Sequence, residues 1–308
     1  VSVTSDVEAP VSVVRVYYKH EAQIYKTYSD YLDLLRYSYL TGMLNRRLVE
    51  LTEEEDPPFV GANFQYGSFA ARSKSALQGY AIVGETGIER GLQALLTENE
   101  RVNRFGFTEG EFERFKMDLL KRYQNSYNER DKTESKQHAA EYIRNYLEDE
   151  PIPGIEFEYE FVKSNIDNIT LKEINTLAKN LISDDNRVII VKTPEKEDLT
   201  IPGEAAILAV ATDVSNLELA PYEDNISGTQ LMSDLPEPGK ILATDTLADL
   251  EAVDLKLSNG ARVILKPTEF KNDEVLLTAF SLGGHSIYPD ADHFTAMNTD
   301  GIIKESGV

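Results

Sequence analysis

Near the end of this 308-residue chain, two apolar runs flank Asn259-Gly260: Val253 to Leu257 on one side, Arg262 to Leu265 on the other. That dipeptide readily supplies the two positive-φ positions of a type I′ hairpin turn, so the stretch predicts a hairpin. A third run, Val275 to Leu282, ends in Gly283-Gly284 and reads as another strand. Phe294 to Ile303 has helix-compatible spacing. Three strands and a helix in so few residues make a half-built sheet with an open edge, too small to stabilise itself. Residues 253–308 are therefore expected to be the start of a second unit, 1–230 a complete domain before it, and 231–252 a linker rich in Gly, Pro, Ser and Asp.

The chain is long enough for two units and apolar enough, at 41%, to build a sizeable core. With 53 acidic against 31 basic residues, its net charge of −22 repels phosphate backbones and anionic lipid, so nucleic acid is not an expected partner. Zero cysteines exclude disulfides, thiolate metal sites and cysteine nucleophiles. No apolar run approaches the ~18 residues of a membrane span.

Upstream, Val11 to Tyr18 alternates as a core strand does. From Tyr28 the period changes: Tyr28, Leu32, Leu35, Tyr39 and Met43 line one face of a long helix, with Leu44, Leu48 and Leu51 beside it. Phe59 to Tyr66 and Leu77 to Val83 read as strands. Ile88, Leu92, Leu95 and Val102 again have helical spacing. Thr108 with Glu111 is a capping box opening another helix, and Thr170 with Glu173 is a second. Ala139, Ile143 and Leu147 mark a further helix, and Arg187 to Lys192 a compact strand. Ile155 to Phe161 fits a strand or a helix equally. The fold class expected is α+β: a two-layer domain with a mainly antiparallel sheet covered by helices, followed by the start of a second, similar domain.

Several phrases resemble one family, the zinc metallopeptidases related to pitrilysin, insulysin and the mitochondrial processing peptidases. They are Met43-Leu-Asn-Arg-Arg-Leu-Val-Glu50, Pro57-Pro-Phe59, Glu100-Arg-Val-Asn-Arg-Phe-Gly-Phe-Thr-Glu109, Pro151 to Glu156, and the Leu257-Ser-Asn-Gly260 hairpin with Gly283-Gly284. The resemblance implies a helix at Ile155 to Asn165. It also implies a parent built of two halves, each of two similar α+β domains, with zinc in the first domain. There an inverted motif, His-x-x-Glu-His, holds the metal and supplies the base for its bound water. None of the four histidines, His20, His138, His285 and His293, pairs with another at that spacing. The nearest passage, His293-Phe-Thr-Ala-Met297, carries Ala296 and Met297 where the base and second ligand would stand.

The family's last domain also presents an Arg and a Tyr to the substrate. Arg47 and Phe59 are the positions that match here, as candidate substrate contacts; Phe59 lacks the hydroxyl that would donate to an oxyanion. The plain alternative for Arg47 is an ion pair with Glu50 or Glu54. Likewise His285, His293 and the intervening Asp290 and Asp292 spell a metal site or, as such residues more commonly do, turn formers and helix caps. Glu53-Glu-Glu-Asp56 is a cation site or a solvated acidic run.

The expectation is thus a catalytically silent part of a zinc endopeptidase, its partners the other domains of the same polypeptide and, in the parent, peptide substrate. Zinc is expected in the parent and not in this chain. A periplasmic or cell-envelope location is favoured over the cytoplasm. The competing reading is a non-enzymatic scaffold or peptide-binding subunit of the same fold.

Overall fold

The computed structural model describes residues 1–70, 72–84, 87–196, 199–224, 237–272 and 274–305. The chain divides into two units, Val1–Asn225 and Ile226–Val308.

The first unit is built on a five-stranded sheet: β1 (Ser2–Asp6), β2 (Ser12–Glu21), β3 (Gly61–Phe69), β4 (Lys74–Val83) and β5 (Arg187–Pro194), in the order β1-β5-β2-β4-β3. Only β1 pairs in parallel, with β5; the other ladders are antiparallel. Along β2, Val14, Val16 and Tyr18 are at most 2% exposed, while Val13, Arg15 and Tyr17 between them are half-buried. That period of two directs one face of the sheet into the core.

The core's other layer comprises α1 (Tyr28–Thr52), α2 (Ile88–Phe105), α3 (Glu109–Asn128), α5 (Ile155–Asn165), α6 (Leu171–Leu181) and α7 (Glu204–Asn216). Leu35, Tyr39, Leu40, Met43, Leu44 and Leu48 make α1 the largest contributor to the core. α4 (Ser135–Glu148) buries no residue. The segment 155–165, ambiguous by period, is helical as the family resemblance implied.

Both expected capping boxes form. Thr170 accepts from the Glu173 amide at 3.3 Å, and Glu173 Oε2 accepts from the Thr170 amide at 2.8 Å. Thr170→Ala removes the hydroxyl that accepts from the Glu173 amide while the residue-170 amide keeps Glu173 Oε2, so one donor of the first turn of α6 loses its partner, at a cost of about 1 kcal/mol in a denaturant melt.

The second unit has a three-stranded antiparallel sheet of β6 (Ile241–Leu247), β7 (Ala252–Leu257) and β8 (Arg262–Leu265), followed by α8 (His293–Glu305). Three expectations need correction here. The span 231–252 was expected to be linker: residues 231–236 lie outside the described residues, but 241–247 pairs along β7 as β6. The hairpin at Asn259-Gly260 forms, but of the two residues only Gly260 has positive φ, at 86°. The Gly260 amide donates to Leu257 O at 3.0 Å and the Leu257 amide to Ala261 O at 2.9 Å. The loop is therefore three residues with glycine alone left-handed, a bulged turn and not type I′. Finally, Val275 to Leu282 enters no ladder. Val275, Leu276, Leu277, Phe280 and Leu282 are 87–96% exposed, because no neighbouring strand among the described residues offers them hydrogen bonds.

Candidate functional site

Of the two candidate substrate contacts, Arg47 occupies the more elaborate setting. Helical phase places it on the buried face of α1, where it is 2% exposed. Its Nε donates to Glu111 Oε1 at 2.6 Å and its Nη2 to Glu111 Oε2 at 2.9 Å, a bidentate pair between α1 and the first turn of α3. Nη2 also donates to the Gly106 carbonyl at 3.2 Å. The guanidinium carbon lies 4.2 Å from the ring centre of Tyr222 and 5.0 Å from that of Phe107. Its partner is thus Glu111, not Glu50 or Glu54; Glu50 instead accepts from the Tyr222 hydroxyl at 2.8 Å.

Glu111 serves two purposes. The oxygen that accepts from Arg47 Nη2 also accepts from the Thr108 amide at 2.8 Å, closing the capping box. Glu98, on α2, approaches Arg47 Nη1 at 3.8 Å, beyond hydrogen-bond reach, and is ion-paired with Arg101. Burial pushes the Glu98 carboxyl above the ordinary carboxylate range, the attraction of Arg101 and Arg47 only partly offsetting it. The arrangement ties α1, α2, α3 and the segment carrying Tyr222 together around one cation. Phe59, the other candidate, is 3% exposed and belongs to the hydrophobic core.

Among the described residues the histidines hold no metal-binding arrangement. The rings of His285 and His293 stand 5.1 Å apart, nearly perpendicular, with Asp290 and Asp292 in the short turn before α8. Among the described residues no three His, Cys, Asp or Glu side chains gather as a metal would need. His293 begins α8, so Ala296 and Met297 sit one turn on, where neither can ligate or act as a base. The donor set does not fit catalytic zinc. His20 is half-buried, its imidazole held below its ordinary pKa by burial and lifted in part by a hydrogen bond with the Leu181 backbone. Glu53 to Asp56 are exposed, with Asp56 paired to Arg90 at 2.8 Å.

No family model matches the chain. A protein of Arabidopsis thaliana described as "Zinc protease PQQL-like" is 28% identical over 305 residues, which is 98% of this chain and 28% of that protein. The "Probable zinc protease PqqL" of Escherichia coli K12 is 21% identical over 311 aligned positions, covering the whole chain and 33% of that protein. The crystal structure of the periplasmic protease PqqL from Escherichia coli superimposes with a TM-score of 0.65 and 21% identity, over 86% of this chain and 29% of that one. The chain thus spans a third or less of the length of the curated relatives it matches.

Proposed function

We propose that this chain, related along its whole length to the pitrilysin-like zinc metallopeptidases, is a non-catalytic portion of a peptide-degrading or peptide-processing zinc endopeptidase. Its role in the parent is to form part of the chamber wall and to pack against the zinc-bearing domain. Zinc, peptide substrate and a periplasmic or cell-envelope location belong to that parent protein in this reading.

The observation that carries the reading is α4. Tyr142, Ile143, Tyr146 and Leu147 recur at three- and four-residue spacing, yet they are 58%, 57%, 86% and 47% exposed. An amphipathic helix that buries nothing in its own unit has an apolar stripe available for another domain. The failure of His293 to Met297 to offer a zinc set supports the non-catalytic half of the reading.

Peptide hydrolysis tests it. This chain alone leaves an unstructured peptide intact, while Ile143→Glu with Tyr146→Glu in the full-length parent lowers its activity without unfolding this unit. Chelator-sensitive cleavage by the isolated chain, or a parent indifferent to the α4 substitutions, contradicts the reading.

A further inference from the structure

A cleft of about 580 Å³ opens where the segment leading into α1 meets α3, α5 and the Glu150–Pro153 connection. Tyr25, Tyr28, Tyr31, Tyr123 and Phe157 line it, with the Glu158 carboxyl among them. The size is that of a small-ligand site. The rings form a continuous cluster: Tyr28 stacks on Phe157 at 5.8 Å between centroids, and Tyr31 meets Phe157 edge-on at 6.4 Å.

The charge balance inside the cleft is unequal. Glu158 accepts a hydrogen bond from the Tyr31 hydroxyl, which is also hydrogen-bonded to Tyr123. Burial, and then the like charge of Glu141 and Glu150, push its carboxyl above the ordinary range, with the Tyr31 hydrogen bond and the charge of Arg144 drawing it down in part. Arg144 is already taken by Glu150 at 2.9 Å, and Lys26, which also lines the cleft, by Asp149 at 3.5 Å. Among the described residues, Glu158 therefore lines an aromatic cleft without a salt bridge of its own. Aromatic faces carry negative potential, and a half-buried carboxylate among them adds to it; both favour a cation. A neutral apolar ligand would leave the carboxylate uncompensated at greater cost, because it would strip water from it.

We propose that this cleft binds a lysine or arginine side chain of a peptide, its cation lying over the rings of Tyr28, Tyr31 and Phe157 and against the Glu158 carboxylate. The inference rests on residues of this chain alone and holds whether or not the parent cleaves peptides.

Calorimetric titration of the 308-residue chain with the blocked tripeptide Gly-Arg-Gly, beside its norleucine counterpart, tests it. The arginine peptide should bind saturably, one per chain, and about tenfold tighter than the norleucine peptide. Glu158→Gln should remove about that tenfold preference, and Tyr28→Ala should weaken arginine binding roughly threefold. Tyr28 is 69% exposed, so its truncation leaves the fold intact and keeps the test decisive should the Glu158 variant not fold. Equal affinity for the two peptides would identify a merely apolar cleft and overturn the proposal. So would the absence of saturable binding, or arginine binding unaffected by Tyr28→Ala.

Discussion

Glu111→Ala should lower the stability of the first unit by about 3–5 kcal/mol, read as a shift in the urea midpoint at unchanged slope. The substitution removes both acceptors of the bidentate pair and leaves the Arg47 guanidinium 2% exposed, with Glu98 at 3.8 Å as the remaining carboxylate. It also opens the capping box, because the Thr108 amide loses its acceptor. Replacing both partners, with Arg47→Met and Glu111→Leu, should recover most of the loss, since the double change leaves no uncompensated charge. Failure of the double variant to recover would mean that the cap, not the buried charge, dominates.

The same cluster gives the stability a pH dependence of known sign. Burial raises the folded-state pKa of Glu98 above its unfolded value. Between those two values the folded state binds more protons than the unfolded state, so this group's contribution weakens as pH rises through the window. Glu98→Gln should flatten that part of the profile.

Asn45→Ala is the second large effect expected, roughly 2–4 kcal/mol, since each backbone group left without a partner costs roughly 1–3 kcal/mol. Asn45 Nδ2 donates to the Phe64 carbonyl at 2.9 Å, and Asn45 Oδ1 accepts from the Phe64 amide at 2.6 Å. Strand β3 is the edge of the sheet, so these groups face away from β4 and have no ladder partner. The carboxamide takes the place of the missing strand. Asn45→Asp keeps an acceptor but loses the donor to Phe64, so it should fall between wild type and alanine in the same urea titration.

Elements with a sustained period are legible in the sequence: α1 from its leucine and tyrosine stripe, α2, and the capped starts of α3 and α6. The other features depend on partners distant in sequence. Thr108 and Glu111 announce a helix start, but nothing local shows that Glu111 also holds Arg47, 64 residues away. Strand β6 reads as linker because its residues, rich in Thr and Asp, are exposed except for half-buried Leu247, so it lacks an apolar alternation. Val275 to Leu282 has the composition of a strand, but a strand exists only where a neighbour completes its hydrogen bonds. Helix α7 was readable in principle, since Ile207, Ala211 and Val214 are its buried residues and follow helical spacing. The aromatic cleft was not, because its rings come from three helices and a connection.

The most direct test of the central claim is the zinc content of the purified 308-residue chain after dialysis against chelator-free buffer. The non-catalytic reading predicts a value near zero per chain. A value near one would mean that His285, His293 and the intervening aspartates close around a metal, and it would contradict the assignment of this chain as the metal-free part of its parent.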